Sequence, residues 1–276
     1  MTEHLHSATG ALPSWDLEPS IVIPLVTLAA MYYIGCRRRS APISGWTIVS
    51  FILGWITLAI ALLSPLHHLG EELFFAHMAQ HEVLMLVCAP LLVFARLDLI
   101  LPWSLPIAAR RQLHVPTAHN ASLALIVHAI AIWGWHIPVL YQASIQSEAV
   151  HALQHISFIG TAFWFWWTLF HSMAARRQYG LAAAYVFITA LHTSILGAIL
   201  TFSSRIWYPL YAETAPHYGL SVLQDQQLGG LLMWIPANLV YVAIGLWLLR
   251  SWIIESERRI PLTQLASLMA QESRHA

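Results

Sequence analysis

Apolar residues run along this chain in long blocks separated by short polar breaks. Seven blocks come close to or pass the roughly 20 residues a helix needs to cross the hydrocarbon core of a bilayer. They run from about Ser20 to Cys36, Gly45 to Leu66, Leu73 to Ala95, His119 to Leu140, His151 to His171, Leu181 to Phe202 and Gln227 to Ser251. The pattern predicts an all-α polytopic membrane protein with seven transmembrane helices. The expected division is an outer tail over residues 1–19, a seven-helix transmembrane domain over 20–251 and a cytoplasmic tail over 252–276. The longest breaks, Leu97 to Ala118 and Ser203 to Gln226, contain Pro and aromatic residues and read as surface or re-entrant segments. The opening residues are polar. They lack a basic start, an apolar stretch and a small-residue cleavage site, so no removable signal peptide is expected.

Composition sharpens this picture. Hydrophobic residues make up 58% of the 276, and Asp, Glu, Lys and Arg together only 9%. Soluble chains carry roughly half and roughly a quarter. So few charges cannot clothe a water-facing surface of this size. The balance therefore excludes a nucleic-acid binder, a disordered chain and a secreted disulfide scaffold. The two cysteines, Cys36 and Cys88, stand far apart and form neither a disulfide framework nor a thiolate metal motif.

Charge placement predicts the topology. All 13 basic residues are Arg, and 12 of them follow blocks one, three, five and seven. Arg37, Arg38 and Arg39 follow the first; Arg96, Arg110 and Arg111 the third; Arg176 and Arg177 the fifth; Arg250, Arg258, Arg259 and Arg274 the last. The remaining loops hold Arg205 alone. By the positive-inside rule the arginine side is cytoplasmic. That puts the N-terminus outside and the C-terminus inside, which requires an odd number of spans.

This orientation turns the 16 histidines into a geometry. His77 and His81 fall in the first turns of block three, and His151 and His155 in those of block five. Both pairs are spaced i, i+4, which stacks two imidazoles on one helix face about 6 Å apart along the axis. His136 lies near the outer end of block four. Asp225 and Met233 lie at the start of block seven, and Met78 and Met85 project within about 100° of the face of the first pair. Four helices thus bring His, Met or Asp to one outer depth. Imidazole with thioether is a soft to borderline donor set that suits copper, with Cu(I) favoured where Met takes part. The first-rank ligands are His77, His81, His151 and His155. His136 and Met78 rank second, and Met85 and Met233 are soft outer partners. Asp225 either orients a histidine N–H or caps the last helix.

The other histidines read more plainly. His128, His171 and His192 are packing or interfacial residues. His67 and His68, beside Glu71 and Glu72, read as solvated loop residues in preference to a metal-capture point. His4 and His6 belong to a tail, and His114 and His119 to the cytoplasmic side. His81-Glu82 opens a metalloprotease-like motif, but position 85 is Met where a second His is needed.

At these residues the chain resembles the seven-span CtaG family of cytochrome c oxidase assembly proteins. The matching stretches are Ser64-Pro65-Leu66, His77-Met78-Ala79-Gln80-His81, Ala89-Pro90-Leu91-Leu92 and Trp135-His136-Ile137-Pro138 with Tyr141. Two more follow: His151-Ala152-Leu153-Gln154-His155 leading to Phe163-Trp164, and Asp225 to Gly230 ending at Met233-Trp234-Ile235-Pro236. They occur in the expected order between Gly45 and Arg250. The resemblance implies a non-enzymatic role in a bacterial inner membrane. Copper would be bound at the periplasmic side and delivered to a haem-copper oxidase subunit, with a periplasmic copper donor as a further partner. Two other readings compete. One is a membrane cytochrome holding haem between His81 and His155. The other is a copper permease, for which His128, His192 and Cys88 are the only stepping stones.

Overall fold

The computed structural model describes Trp15 and residues 17–112, 120–174 and 177–275, with side chains as far as Glu257 except at 111, 112 and 172. His4, His6, His114 and His119 lie outside the described residues. No strand occurs among the described residues. The principal helices are α1 (Pro19–Arg38), α2 (Gly45–Leu63), α3 (Pro65–Glu72) and α4 (Phe74–Phe94). They are followed by α5 (Ala121–Trp135), α6 (Pro138–Gln146), α7 (Glu148–Trp167), α8 (Tyr179–Phe202) and α9 (Val222–His275).

Local chemistry sets the helix starts. The Ser44 hydroxyl accepts from the Thr47 amide at 3.2 Å, and the Asn120 side chain accepts from Leu123 at 3.0 Å. These are N-cap bonds that satisfy otherwise orphaned amides. Ser64 ends α2 and caps α3, its hydroxyl accepting from Leu66, with Pro65 at the first helical position.

Five helices are long and apolar enough to cross a membrane: α1, α2, α4, α8 and the Val222–Glu257 part of α9. The pair α5 and α6 makes a sixth if counted as one span, but it bends by 75°. The bend has a local cause. Pro138 forces Ile137 out of the helical region, to φ −64° and ψ 126°, and the chain restarts as a new helix. The expected fifth span forms a helix, α7, which is 20 residues long but is not among these candidates. It falls short on apolarity because its first turns carry His151, Gln154, His155 and Ser157. These polar residues are spent on the interior, as described below. The C-terminal segment expected as a short helix or tail is continuous with α9 in a single helix of 54 residues.

Two buried apolar clusters hold the bundle. The larger joins α4, α5, α7, α8 and α9 around Phe74, Phe158, Phe165, Trp166, Val186 and Tyr241. The smaller joins α1 and α2 to the lower half of α4 through Tyr32, Phe51, Leu84, Cys88 and Leu92. The outward surface remains apolar: Ile130, Ile156, Phe187 and Leu239 are each at least 66% exposed. A water-soluble protein rarely shows so broad an apolar surface, which is what a lipid-facing belt requires.

Within α4, residues Val83–Cys88 widen into a π-helical turn. This accommodates Pro90, which has no amide hydrogen and whose ring crowds the carbonyl four residues back. The Trp166 indole donates to the Met85 carbonyl at 2.9 Å and fastens α7 to this turn. At one end of the bundle Arg38 donates to the Ser104 carbonyl at 3.0 Å, and Arg177 pairs with Glu255 at 3.0 Å. The histidine-bearing ends of α4 and α7 lie at the other.

Candidate metal centre

Helices α4 and α7 begin at the same end and run side by side. His77 is three residues beyond Phe74, and His151 three beyond Glu148. At 1.5 Å per residue both sit about 5 Å along their axes, with His81 and His155 about 6 Å deeper. The i, i+4 spacing puts each pair on one face, and the two faces meet. Ring centroids are 4.2 Å apart for His77–His81 and 4.3 Å for His151–His155. Between the helices they are 5.2 Å apart for His77–His151 and 5.3 Å for His81–His155. The four imidazoles form one compact group, each at most 8% exposed.

His67 is a member that the sequence reading missed. It lies on α3, half-buried, with its ring stacked on His151 at 5.3 Å and tilted 6.1 Å from His155. The adjacent His68 points away and faces the carboxylates of Glu71 and Glu72. Ligand atoms of His67, Glu71 and His151 lie within 4.8 Å of one another, so His67 links the buried group to an exposed carboxylate.

The hydrogen bonding of this group is incomplete, and the gaps fall on the imidazoles. His77 Nε2 faces the Gln154 amide oxygen at 3.3 Å, so Nε2 carries the proton and Nδ1 holds a free lone pair. Gln80 donates to the Ala61 carbonyl at 2.7 Å and to His67 Nδ1 at 3.0 Å. Among the described residues no partner reaches His77 Nδ1, either nitrogen of His81, His151 Nε2 or His155 Nε2. A buried polar atom without a partner costs roughly 1–3 kcal/mol. Each of the four neighbouring rings can thus offer a cation one lone pair, His81 from either nitrogen but one at a time.

His136 stands apart from this group. It sits at the α5–α6 bend, where Nδ1 meets the Ile132 carbonyl at 2.6 Å and Nε2 meets Met78 Sδ at 3.4 Å. Its ring contact is with Phe158, at 6.3 Å. Met78, Met85 and Met233 line a narrow cavity together with His81, Glu82 and His136. The residues expected as second-rank ligands and soft outer partners thus line one space, which His81 shares with them.

Asp225 takes neither role expected of it. Its carboxylate accepts the backbone amides of Phe74 at 2.7 Å and Phe75 at 3.0 Å. It caps α4, the helix carrying His77 and His81, from across the bundle, where its charge also meets the positive end of the helix dipole. Glycine makes this approach possible: a Cβ on Gly229 would lie 2.3 Å from the Phe74 ring.

The segment between α8 and α9 closes this end. Tyr208 donates to the His136 carbonyl at 2.8 Å, and Tyr211 to that of Gly70 at 3.1 Å. Phe74 stacks on Tyr208 at 4.6 Å. Burial pushes the Tyr208 and Tyr211 phenols up, so both remain neutral donors.

The model of the cytochrome c oxidase caa3 assembly factor family matches residues 30–255, which takes in every helix that contributes to this centre. The chain belongs to that family. Uncharacterized proteins of Mycobacterium bovis and Mycobacterium tuberculosis are each 22% identical to it over 290 residues. One from Mycobacterium leprae is 21% identical over 283. The alignments with the first two cover 96% of this chain but only 42% of the relatives' own length. No solved structure matches.

Proposed function

We propose that this assembly factor binds copper in the imidazole group of α3, α4 and α7 and passes it to a haem-copper oxidase subunit. The ligands are His77, His81, His151 and His155, with His67 and Glu71 as the point of first capture from a periplasmic donor. The observation that carries this reading is the set of unpartnered ring nitrogens on four buried imidazoles whose ring centroids lie 4.2 to 6.2 Å apart. Neutral imidazoles suit Cu(I), and a carboxylate at the margin gives an arriving cation an exposed first contact.

In this reading the chain spans a bacterial inner membrane seven times, with α5–α6 as one broken span and α7 as another. The N-terminus and the metal centre face the periplasm, and the arginine-rich end faces the cytoplasm. The arginine distribution supports this orientation. Delivery needs no bond to be made or broken in a substrate, and the protein acts as a metallochaperone.

The geometry disfavours haem. Axial imidazoles must lie on opposite faces of a flat macrocycle. His81 and His155 instead meet edge to face at 5.3 Å, with His77 and His151 packed into the same volume. A permeation path is no better supported. His128 is bonded to Thr161 at 2.9 Å and His192 to Trp133 at 3.3 Å, while Cys88 lies in the separate α1–α2 cluster.

The test is metal analysis of the purified wild type beside His77→Ala and His151→Ala. Each variant should lose up to about half of the wild-type copper. Wild-type copper content in both variants would refute the site, and a dithionite-reducible Soret band would favour haem.

A further inference from the structure

The contact between His136 and Met78 is chemically odd. The Ile132 carbonyl can only accept, so the hydrogen of neutral His136 sits on Nδ1. The other nitrogen then presents a lone pair, and it faces the lone pairs of Met78 Sδ at 3.4 Å in a fully buried setting. Two acceptors turned toward each other without a hydrogen between them gain nothing from the approach. A soft cation bound to both would resolve it. With bonds of about 2.0 Å to nitrogen and about 2.3 Å to sulfur, a 3.4 Å separation subtends about 105° at the ion, close to a tetrahedral angle.

The surroundings supply further donors. The cavity beside this pair is lined by Met78, His81, Glu82, Met85, His136 and Met233. Its free space is about 10 Å³, close to what one water needs and so enough for one ion. His81 is 2% exposed and lacks a partner at either ring nitrogen. It touches His77 and His155 on one side and lines the thioether cavity on the other. The Phe158 ring lies 4.6 Å from that of His81 and 6.3 Å from that of His136.

We infer that the protein holds a second, thioether-rich Cu(I) subsite, formed by Met78 Sδ and His136 Nε2 with Met233 or Met85, on the inner side of His81. It is distinct from the imidazole centre of the proposed function, and it rests on that reading only for the identity of the metal. Presenting one lone-pair nitrogen at a time, His81 can serve either subsite in turn, so the two form a short relay and not one ligand shell. Thioethers keep the inner ion monovalent, because they bind Cu(I) in preference to harder ions.

The experiment loads purified protein anaerobically with excess Cu(I), removes unbound metal, and measures copper per chain together with copper X-ray absorption. Wild type should retain about two ions, with both nitrogen and sulfur scattering, the latter near 2.3 Å. A Met78→Leu, Met233→Leu double variant should lose about half of the copper and most of the sulfur signal. A His77→Ala, His151→Ala double variant should lose the other half and become richer in sulfur scattering. Wild-type copper without sulfur scattering would overturn the subsite with no variant needed. So would a sulfur signal unchanged in the methionine variant, which would assign it to a sulfur other than Met78 and Met233. A single ion lost in both variants would merge the subsites and leave the proposed function standing. Full loss of sulfur-bound copper in the methionine variant, with nothing lost in the histidine variant, would refute the imidazole centre alone.

Discussion

The bond across the bundle from Asp225 to the first turn of α4 is the strongest single test of how the histidine helix is positioned. Asp225→Ala leaves the amides of Phe74 and Phe75 without their acceptor, in a position where Asp225 itself is 0% exposed. An orphaned buried amide costs roughly 1–3 kcal/mol. Losing a carboxylate from a helix N-terminus adds up to about 2 kcal/mol where the geometry is partly buried. Phe75 is only half-buried, so its share lies at the lower end. The expected loss is about 3–5 kcal/mol, a large fraction of the net stability of most folds. Asp225→Asn keeps one acceptor but turns an amide donor toward the second N–H, and should cost about half as much. Equilibrium unfolding in mixed detergent and SDS reads this directly. Cu(I) competition titrations on the folded fraction should show weaker binding, because fraying the first turn displaces His77 while leaving His151 and His155 on α7. An Asp225→Ala protein with the wild-type unfolding midpoint and wild-type copper affinity would show that α4 holds its start without this cap, and the argument for Asp225 as a positioning residue would fail.

Three further outcomes are expected. Gly229→Ala drives a Cβ to 2.3 Å from the Phe74 ring, which is itself clamped on Tyr208, and overpacking of this kind costs about 1–3 kcal/mol. Gly230→Ala should cost more, because its Cβ meets backbone, the Gly197 carbonyl and the Thr201 amide, at 2.7 Å; equal unfolding midpoints for the two variants would contradict this. Trp166→Phe keeps the ring but removes the donor to Met85, leaving a buried carbonyl in the π-helical turn unbonded, and should lower the same midpoint by about 1–3 kcal/mol. The Tyr218 phenol is pushed up to about 12, first by its hydrogen bond to the Glu72 carboxylate and then by burial. Its stabilising contribution is therefore complete below the ordinary tyrosine value near 10 and vanishes as pH climbs toward 12. An absorbance titration at the phenolate band, taken as wild type minus Tyr218→Phe, should give the raised midpoint. Glu72→Gln should bring that midpoint down, and no change on that substitution would rule out the carboxylate as the cause.

What could be read from the chain, and what could not, follows from the range of each interaction. Apolar blocks report on the solvent around a helix, so α1, α2, α4, α8 and the membrane part of α9 could be read directly. The i, i+4 histidine pairs are equally local, since 3.6 residues per turn fixes a shared face without knowledge of the partner helix. That two such faces met needed only a common starting depth, which the arginines supplied. Helix α7 is the instructive exception. The histidines and glutamine that it buries in the imidazole group also dilute its hydropathy, so the helix that supplies two of the four rings is not apolar enough to count among the membrane-crossing ones. His67 could not be chosen over His68, because adjacent residues on a helix point about 100° apart and α3 had no pattern to say which side faces inward. Asp225 failed for another reason: its acceptor role depends on amides 150 residues away, and nothing near it in sequence marks that bond. The same logic separates Met78 from His77. They are consecutive, so whatever face one presents to α7, the other must present elsewhere, toward α5 and α9. Two donor groups of different softness on one helix are therefore a geometric consequence of their adjacency, and His81, one turn on with both nitrogens unbonded, is the residue able to face either.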